Sequence, residues 1–146
     1  MSPGAPGCVW PVPDLVAFLM DRIADDEAHA QAILNADDDG ETYSAVWSCP
    51  WSGAVDVGDA ADVVNAANDS RVAEHIARWD PARVLAECAA KRAIVEMASE
   101  ATLCDMGVET DRGVGKRLEP WLGDKMLMAL AGPYANHPDY DEAWRP

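Results

Sequence analysis

The stretch DSRVAEHIARWDPARVLAECAAKRAIVEMASEATLCDM, from Asp69 to Met106, decides how this chain is read. It spells two helices broken at Asp80-Pro81. Pro81 suits the first helical position, where its missing N–H costs nothing and its fixed φ already fits a helix. Asp80 suits the N-cap, its carboxylate accepting from an orphan N–H and facing the positive helix end. Trp79 and Val84 then stand at N′ and N4, the two places of a hydrophobic staple. Downstream, Leu85, Cys88, Val95, Leu103 and Met106 recur at helical spacing, with Gly107 as the C′ stop. Glu87 and Lys91 make an i,i+4 pair, and Arg92 is expected to lay its stem along the apolar stripe. Upstream, Val72, His75, Ile76 and Trp79 form a second, shorter stripe that begins near Asp69-Ser70. The break lets the short helix turn back and pack on the long one.

Outward from this pair, Asp14 is placed to cap a helix running to about Ala36. Its apolar side comprises Leu15, Phe18, Leu19, Ile23, Ala30, Ile33 and Leu34, while Asp21, Asp25, Asp26 and Glu27 face out. Full burial of Phe18 or Leu19 contributes on the order of 1.5–3 kcal/mol each. Asp37-Asp38-Asp39-Gly40 reads as the turn ending that helix. Tyr43, Ala45 and Trp47 share one parity, a turn follows at Pro50 and Ser52-Gly53, and Ala54-Val55-Asp56-Val57 returns, which predicts a β-hairpin. Ala60 to Ala67 is compatible with a further helix. Gly107 to Pro120 reads as a polar loop. Trp121, Leu122, Met126, Leu127 and Leu130 mark a third main helix stopped by Gly132-Pro133. After His137-Pro138, Asp139, Asp141 and Glu142 suit the start of a last short turn in which Tyr140 and Trp144 share a face. The Pro- and Gly-rich residues 1–12 predict a loose arm, and 13–146 a single domain. The expected fold class is α+β: three main helices, the short helix-pair junction and a small hairpin.

Composition bounds the function. The chain has 146 residues, 49% of them hydrophobic, and a formal charge of −15. That suits a folded domain and disfavours nucleic acid as a direct partner, because phosphates would be repelled. There is no basic-then-apolar leader and no apolar run long enough for a membrane span. Cys8, Cys49, Cys88 and Cys104 lack close paired spacing, which reads as a reducing cytoplasm. The charge is uneven: Asp14 to Asp69 holds 13 acids against Arg22 alone, a net of −12, whereas Ser70 to Glu100 is neutral. An anionic front half precedes a neutral helical one.

Chemical motifs are weak. Asn35-Ala36-Asp37-Asp38-Asp39-Gly40 matches the first half of an EF-hand loop, but its twelfth position is Val46, which cannot supply the bidentate carboxylate. His29, His75 and His137 are scattered. A zinc site from Cys49, Cys104 and a histidine has no paired spacing behind it, though folding could assemble one. Gly113-Val114-Gly115-Lys116 has Thr110 where a phosphate loop needs its first glycine, and Arg117 where it needs Ser or Thr. No catalytic residue, cofactor or metal is assigned, and catalysis is disfavoured. Of the six tryptophans, Trp47, Trp79, Trp121 and Trp144 fall within patterned elements and read as core or docking anchors. Trp51, in the hairpin turn, reads as an exposed interface residue.

Three segments resemble a family. They are Asp14-Leu15-Val16-Ala17-Phe18-Leu19, then Glu74-His75-Ile76-Ala77-Arg78-Trp79-Asp80-Pro81-Ala82-Arg83-Val84-Leu85, then Pro133 to Pro146 with its His-Pro-Asp-Tyr and Trp-Arg-Pro ends. Together these cover about a quarter of the chain and resemble an uncharacterised family of short acidic proteins of actinobacteria and their phages. The resemblance brings no assigned activity, and implies a bacterial or phage-encoded cytoplasmic accessory protein. Two departures stand out: the arm before Asp14 extends beyond the shared part, and Trp79 stands where the resemblance calls for a polar residue.

These readings lead to a non-catalytic interaction protein that meets a basic, DNA-binding or other, host protein. The expected partner-binding residues are Asp25, Asp26, Glu27, Asp37, Asp38, Asp39, Glu41 and Trp51. Three alternatives stay open: acidity that serves only solubility, a small metal-dependent enzyme, and a structural subunit of an assembly.

Overall fold

The computed structural model describes residues 12–38, 41–58, 64–65, 69–111 and 120–146. The element order is α1 (Val12–Leu34), β1 (Asp37–Asp38), β2 (Glu41–Ser48), β3 (Ala54–Gly58), β4 (Val64–Asn65), α2 (Ser70–Arg78), α3 (Pro81–Asp111) and α4 (Leu122–Ala131). Two short 3-10 turns, Gly132–Tyr134 and Glu142–Trp144, complete it. The four strands form one antiparallel sheet in sequence order, so the class is α+β, as the periodicities predict.

The break at Asp80-Pro81 forms as the sequence requires. Arg83 N donates to Asp80 Oδ1 at 2.8 Å, and Val84 N donates to the Asp80 carbonyl at 3.0 Å. Asp69 caps α2 in the same way, accepting from Arg71 N at 2.9 Å. The hairpin falls where alternation puts it, and its turn holds Gly53 at φ 78°.

Other expectations are corrected. α1 begins at Val12, inside the stretch read as an arm, so Asp14 lies in the first turn rather than at the cap. Pro13 causes no obstruction there, because first-turn N–H groups have no helical partner. α3 passes through Gly107 to Asp111, since a glycine costs a helix only about 1 kcal/mol and no proline follows before Pro120. Residues 112–119, the rest of the expected loop, lie outside the described residues, as do residues 1–11 of the arm. Asp37-Asp38 is a strand paired with Glu41-Thr42 rather than a plain turn, and Asp39 lies outside the described residues. Within Ala60–Ala67 the described pair Val64-Asn65 is a strand on β3, not helix. Glu87 accepts from Arg83 Nε at 2.9 Å, and Lys91 Nζ donates to the Tyr134 hydroxyl at 3.0 Å.

The largest correction concerns α2. Its buried residues are Ala73 and Ala77, while Val72, Ile76 and Trp79 are exposed. The two alanines pack on Val55 and Val57 of β3, with Tyr43 and Trp47 of β2 alongside. Small side chains let the helix backbone approach the sheet, so α2 docks on the hairpin by a neighbouring face rather than the one its bulky residues suggest.

Contacts gather the chain into two compact units, Met1–Ile23 with Ala90–Pro146, and Ala24–Ala89. In the first, Leu15, Phe18, Leu19, Ile23, Val95, Leu127 and Trp144 are buried. Phe18 is its hub: the rings of Tyr134, His137, Tyr140 and Trp144 lie 6.3, 5.7, 6.0 and 5.0 Å from it, three of them edge-on. Arg22 also bonds His137, fastening the C-terminal segment to α1. The second unit holds the whole sheet, α2, the later turns of α1 and the start of α3.

Candidate functional site

The second unit contains an open groove of about 730 Å³. Its wall from α1 carries Asp26, His29, Ala30 and Ile33; its floor from β2 and β3 carries Tyr43, Trp47 and Val57; its far wall is Trp79, Pro81 and Val84. Folded interiors leave few voids larger than a water molecule, and a space of this size falls in the range of ligand-binding clefts, about 300–1,000 Å³.

Local chemistry explains why the groove keeps its shape. Tyr43 pairs with Gly58 but Ser48 pairs with Asp56, so five steps along β2 match two along β3 and β2 bulges between them. A bulge takes backbone N–H groups out of the ladder, and they must find other acceptors. Val46 N donates to Ser44 Oγ at 3.3 Å. Trp47 N donates to Asp80 Oδ2 at 3.3 Å, and the indole Nε1 of Trp47 donates to the Ser44 carbonyl at 2.8 Å. The carboxylate that caps α3 therefore also ties the bulge to the helix start, fixing floor and far wall together. Gly58, at φ 105°, lets the strands close: a Cβ there would lie 2.6 Å from Ser44 N.

At the mouth, the Arg83 guanidinium lies 4.3 Å over the Trp79 ring, and His75 lies 6.5 Å from that ring. Trp79 and Val84 both line the groove, and Trp79 stays 43% exposed. On α1, the His29 Nδ1–H donates to the Asp25 carbonyl at 2.8 Å.

Of the residues read as partner-binding, Asp25, Asp26, Glu27, Asp37, Asp38, Glu41 and Trp51 all belong to this unit. Asp26 lines the groove, Asp25 is exposed beside it in sequence, and Glu27 is half-buried. Asp37, Asp38 and Glu41 sit on the β1–β2 strands, so the described acids of the EF-hand-like segment are strand residues. Trp51 is 61% exposed in the hairpin turn. The unit carries 14 acids and 3 bases over Ala24–Ala89, a net of −11. Two of those bases are engaged within it: Arg71 with Asp69 at 2.7 Å, and Arg83 with Glu87 at 2.9 Å.

Among the described residues no three His, Cys, Asp or Glu side chains gather as a metal site. Cys49 is exposed in the hairpin and Cys88 is buried in α3. The groove is the feature that sequence reasoning missed. Its only linear signal is the staple pair Trp79 and Val84, because its other walls come from α1, β2 and β3.

Comparison with known protein families finds a match. A family of unknown function (DUF6221) covers residues 12–146, leaving the Pro- and Gly-rich arm outside. No curated protein and no solved structure matches.

Proposed function

The chain belongs to that family of unknown function (DUF6221), and from this premise we propose that it is a non-catalytic accessory protein whose acidic unit binds a basic surface on another protein. The observation that carries this reading is the net charge of −11 packed into the 66 residues of Ala24–Ala89, against −4 for the remainder. Such a field draws cationic partners together quickly and repels polyanions. A host protein that reads DNA phosphates presents the complementary surface, so occupying that surface would take it off DNA. The cytoplasm of a bacterium or of a phage-infected cell is where this role belongs. Among the described residues no helix is long and apolar enough to cross a membrane.

The test is affinity capture of the partner from host lysate, followed by affinity measurement over a salt series. The reading expects a basic partner whose affinity falls steeply as ionic strength rises, since the screening length shortens from about 10 Å at 0.1 M to about 3 Å at 1 M. An acidic or neutral partner, or salt-indifferent binding, would overturn it.

A further inference from the structure

The groove and the outer face of α2 meet at one residue. Val72, Ile76 and Trp79 fall at helical positions i, i+4 and i+7, all exposed, and Trp79 also lines the groove. The face of α2 that ought to be buried by its bulk is turned away from the sheet, because Ala73 and Ala77 already fill the contact with Val55 and Val57. A soluble chain gains nothing from leaving a valine, an isoleucine and a tryptophan in a row on water. Beside them the groove offers apolar walls with one carboxylate, Asp26.

What covers this surface is set by charge. A second copy would bring another unit of net −11 against the first, which opposes self-association, and of the three bases near this face Arg71 is held by Asp69 and Arg83 by Glu87. An amphipathic helix with cationic flanks satisfies both features: aliphatic side chains at i, i+3, i+4 and i+7 enter the groove and lie along α2, while flanking Lys and Arg face the acids. We infer that the groove between α1, the sheet and the start of α3, continued onto the Val72–Ile76–Trp79 face, is the docking site for a cationic amphipathic helix of a partner protein. This rests on the acidic-unit reading above and adds to it a place and a shape requirement.

The experiment uses the full chain and two synthetic peptides of about 18 residues, long enough for four to five helical turns. Both contain only Lys and Leu in equal numbers; in one the leucines keep helical spacing, and in the other the order is scrambled. Titrations follow peptide binding by anisotropy, with far-UV circular dichroism of each variant as the folding control. The amphipathic peptide is expected to bind about tenfold or more tighter than the scrambled one, a gap of about 1.4 kcal/mol or more. Ile76→Ser and Trp79→Ala are expected to close most of that gap, while Val46→Ser, at an exposed apolar position off the groove, leaves it unchanged. Should Trp79→Ala unfold the chain, Ile76→Ser carries the comparison alone, since that side chain is outside the core. Equal binding of both peptides, with no effect of Ile76→Ser, overturns the docking site and leaves the acidic-unit reading standing. No binding of either peptide at low salt overturns both. A dimer in sedimentation that Ile76→Ser dissociates assigns the face to a second copy and overturns the inference.

Discussion

Asp80 holds Trp47 by its backbone: Asp80 Oδ2 accepts from Trp47 N at 3.3 Å while its other oxygen caps α3 through Arg83 N at 2.8 Å. One buried carboxylate thus joins the bulge of β2 to the start of the longest helix. The contact with Trp47 spans 33 residues and the cap at Arg83 is local, so the carboxylate couples helix initiation to sheet geometry.

Asp80→Ala removes a cap worth about 0.5–2 kcal/mol and leaves a half-buried N–H without its acceptor, costing about 1–3 kcal/mol more. A loss of about 2–4 kcal/mol is expected in urea unfolding, with Asp80→Asn in between because its one carbonyl oxygen can serve only one of the two sites well. A loss confined to the capping range would mean that the bond to Trp47 contributes nothing.

Gly58→Ala is expected to damage the hairpin. The position has φ 105°, and the added Cβ would stand 2.6 Å from backbone at Ser44, which cannot swing away as a side chain would. Strain of this kind costs at least about 1 kcal/mol, and thermal unfolding should report a lower midpoint. An unchanged midpoint would show that β2 and β3 can separate there freely.

Phe18→Ala should cost about 3–5 kcal/mol, because the ring is buried and the C-terminal aromatic residues lean on it. Near-UV circular dichroism should lose the signal of Trp144 and Tyr140 packed together at 5.7 Å. Retention of that signal would mean the C-terminal segment holds its place without α1.

Acid should loosen two exposed ion pairs, one of which includes the cap of α2. The Arg71 guanidinium, and then its backbone N–H, hold the Asp69 carboxyl below its usual 3.8. Arg145 holds Glu142 below its usual 4.5 chiefly by hydrogen bonding. A folded-state pKa below the unfolded one favours the fold at higher pH: the contribution is complete above about the unfolded value and is lost as pH falls through the folded value. Amide exchange at the first turn of α2 should therefore quicken only below pH 3.8, and Asp69→Asn should remove that acid step. Both pairs are in water, so added salt should shrink the effect.

How much of this was legible in the linear chain depends on the range over which each decision is made. The Asp80-Pro81 boundary, the Asp69 cap and the hairpin turn at Gly53 rest on neighbours within four residues, and they were readable. The face of α2 was not. Hydropathy ranks Val72, Ile76 and Trp79 above Ala73 and Ala77, but close packing on a sheet selects for small side chains. Gly107 reads as a stop because it is the first glycine after the stripe, whereas α3 continues through it to Asp111. β1 and β4 are two residues each and are defined by their partners alone. The groove was hidden for the same reason as the bond from Trp47 to Asp80: it exists only once α1, the bulged strand and the helix start are brought together.

The α1 carboxylates beside the apolar groove are proposed to carry the binding of a cationic partner helix, and a salt titration of the amphipathic Lys/Leu peptide on the wild-type chain and on Asp25→Asn/Asp26→Asn/Glu27→Gln decides it. Between about 50 mM and about 500 mM salt the wild-type affinity should fall by about tenfold or more, and the amide variant should start weaker and show a shallower slope. Equal slopes for the two proteins, or wild-type affinity that ignores salt, would contradict it.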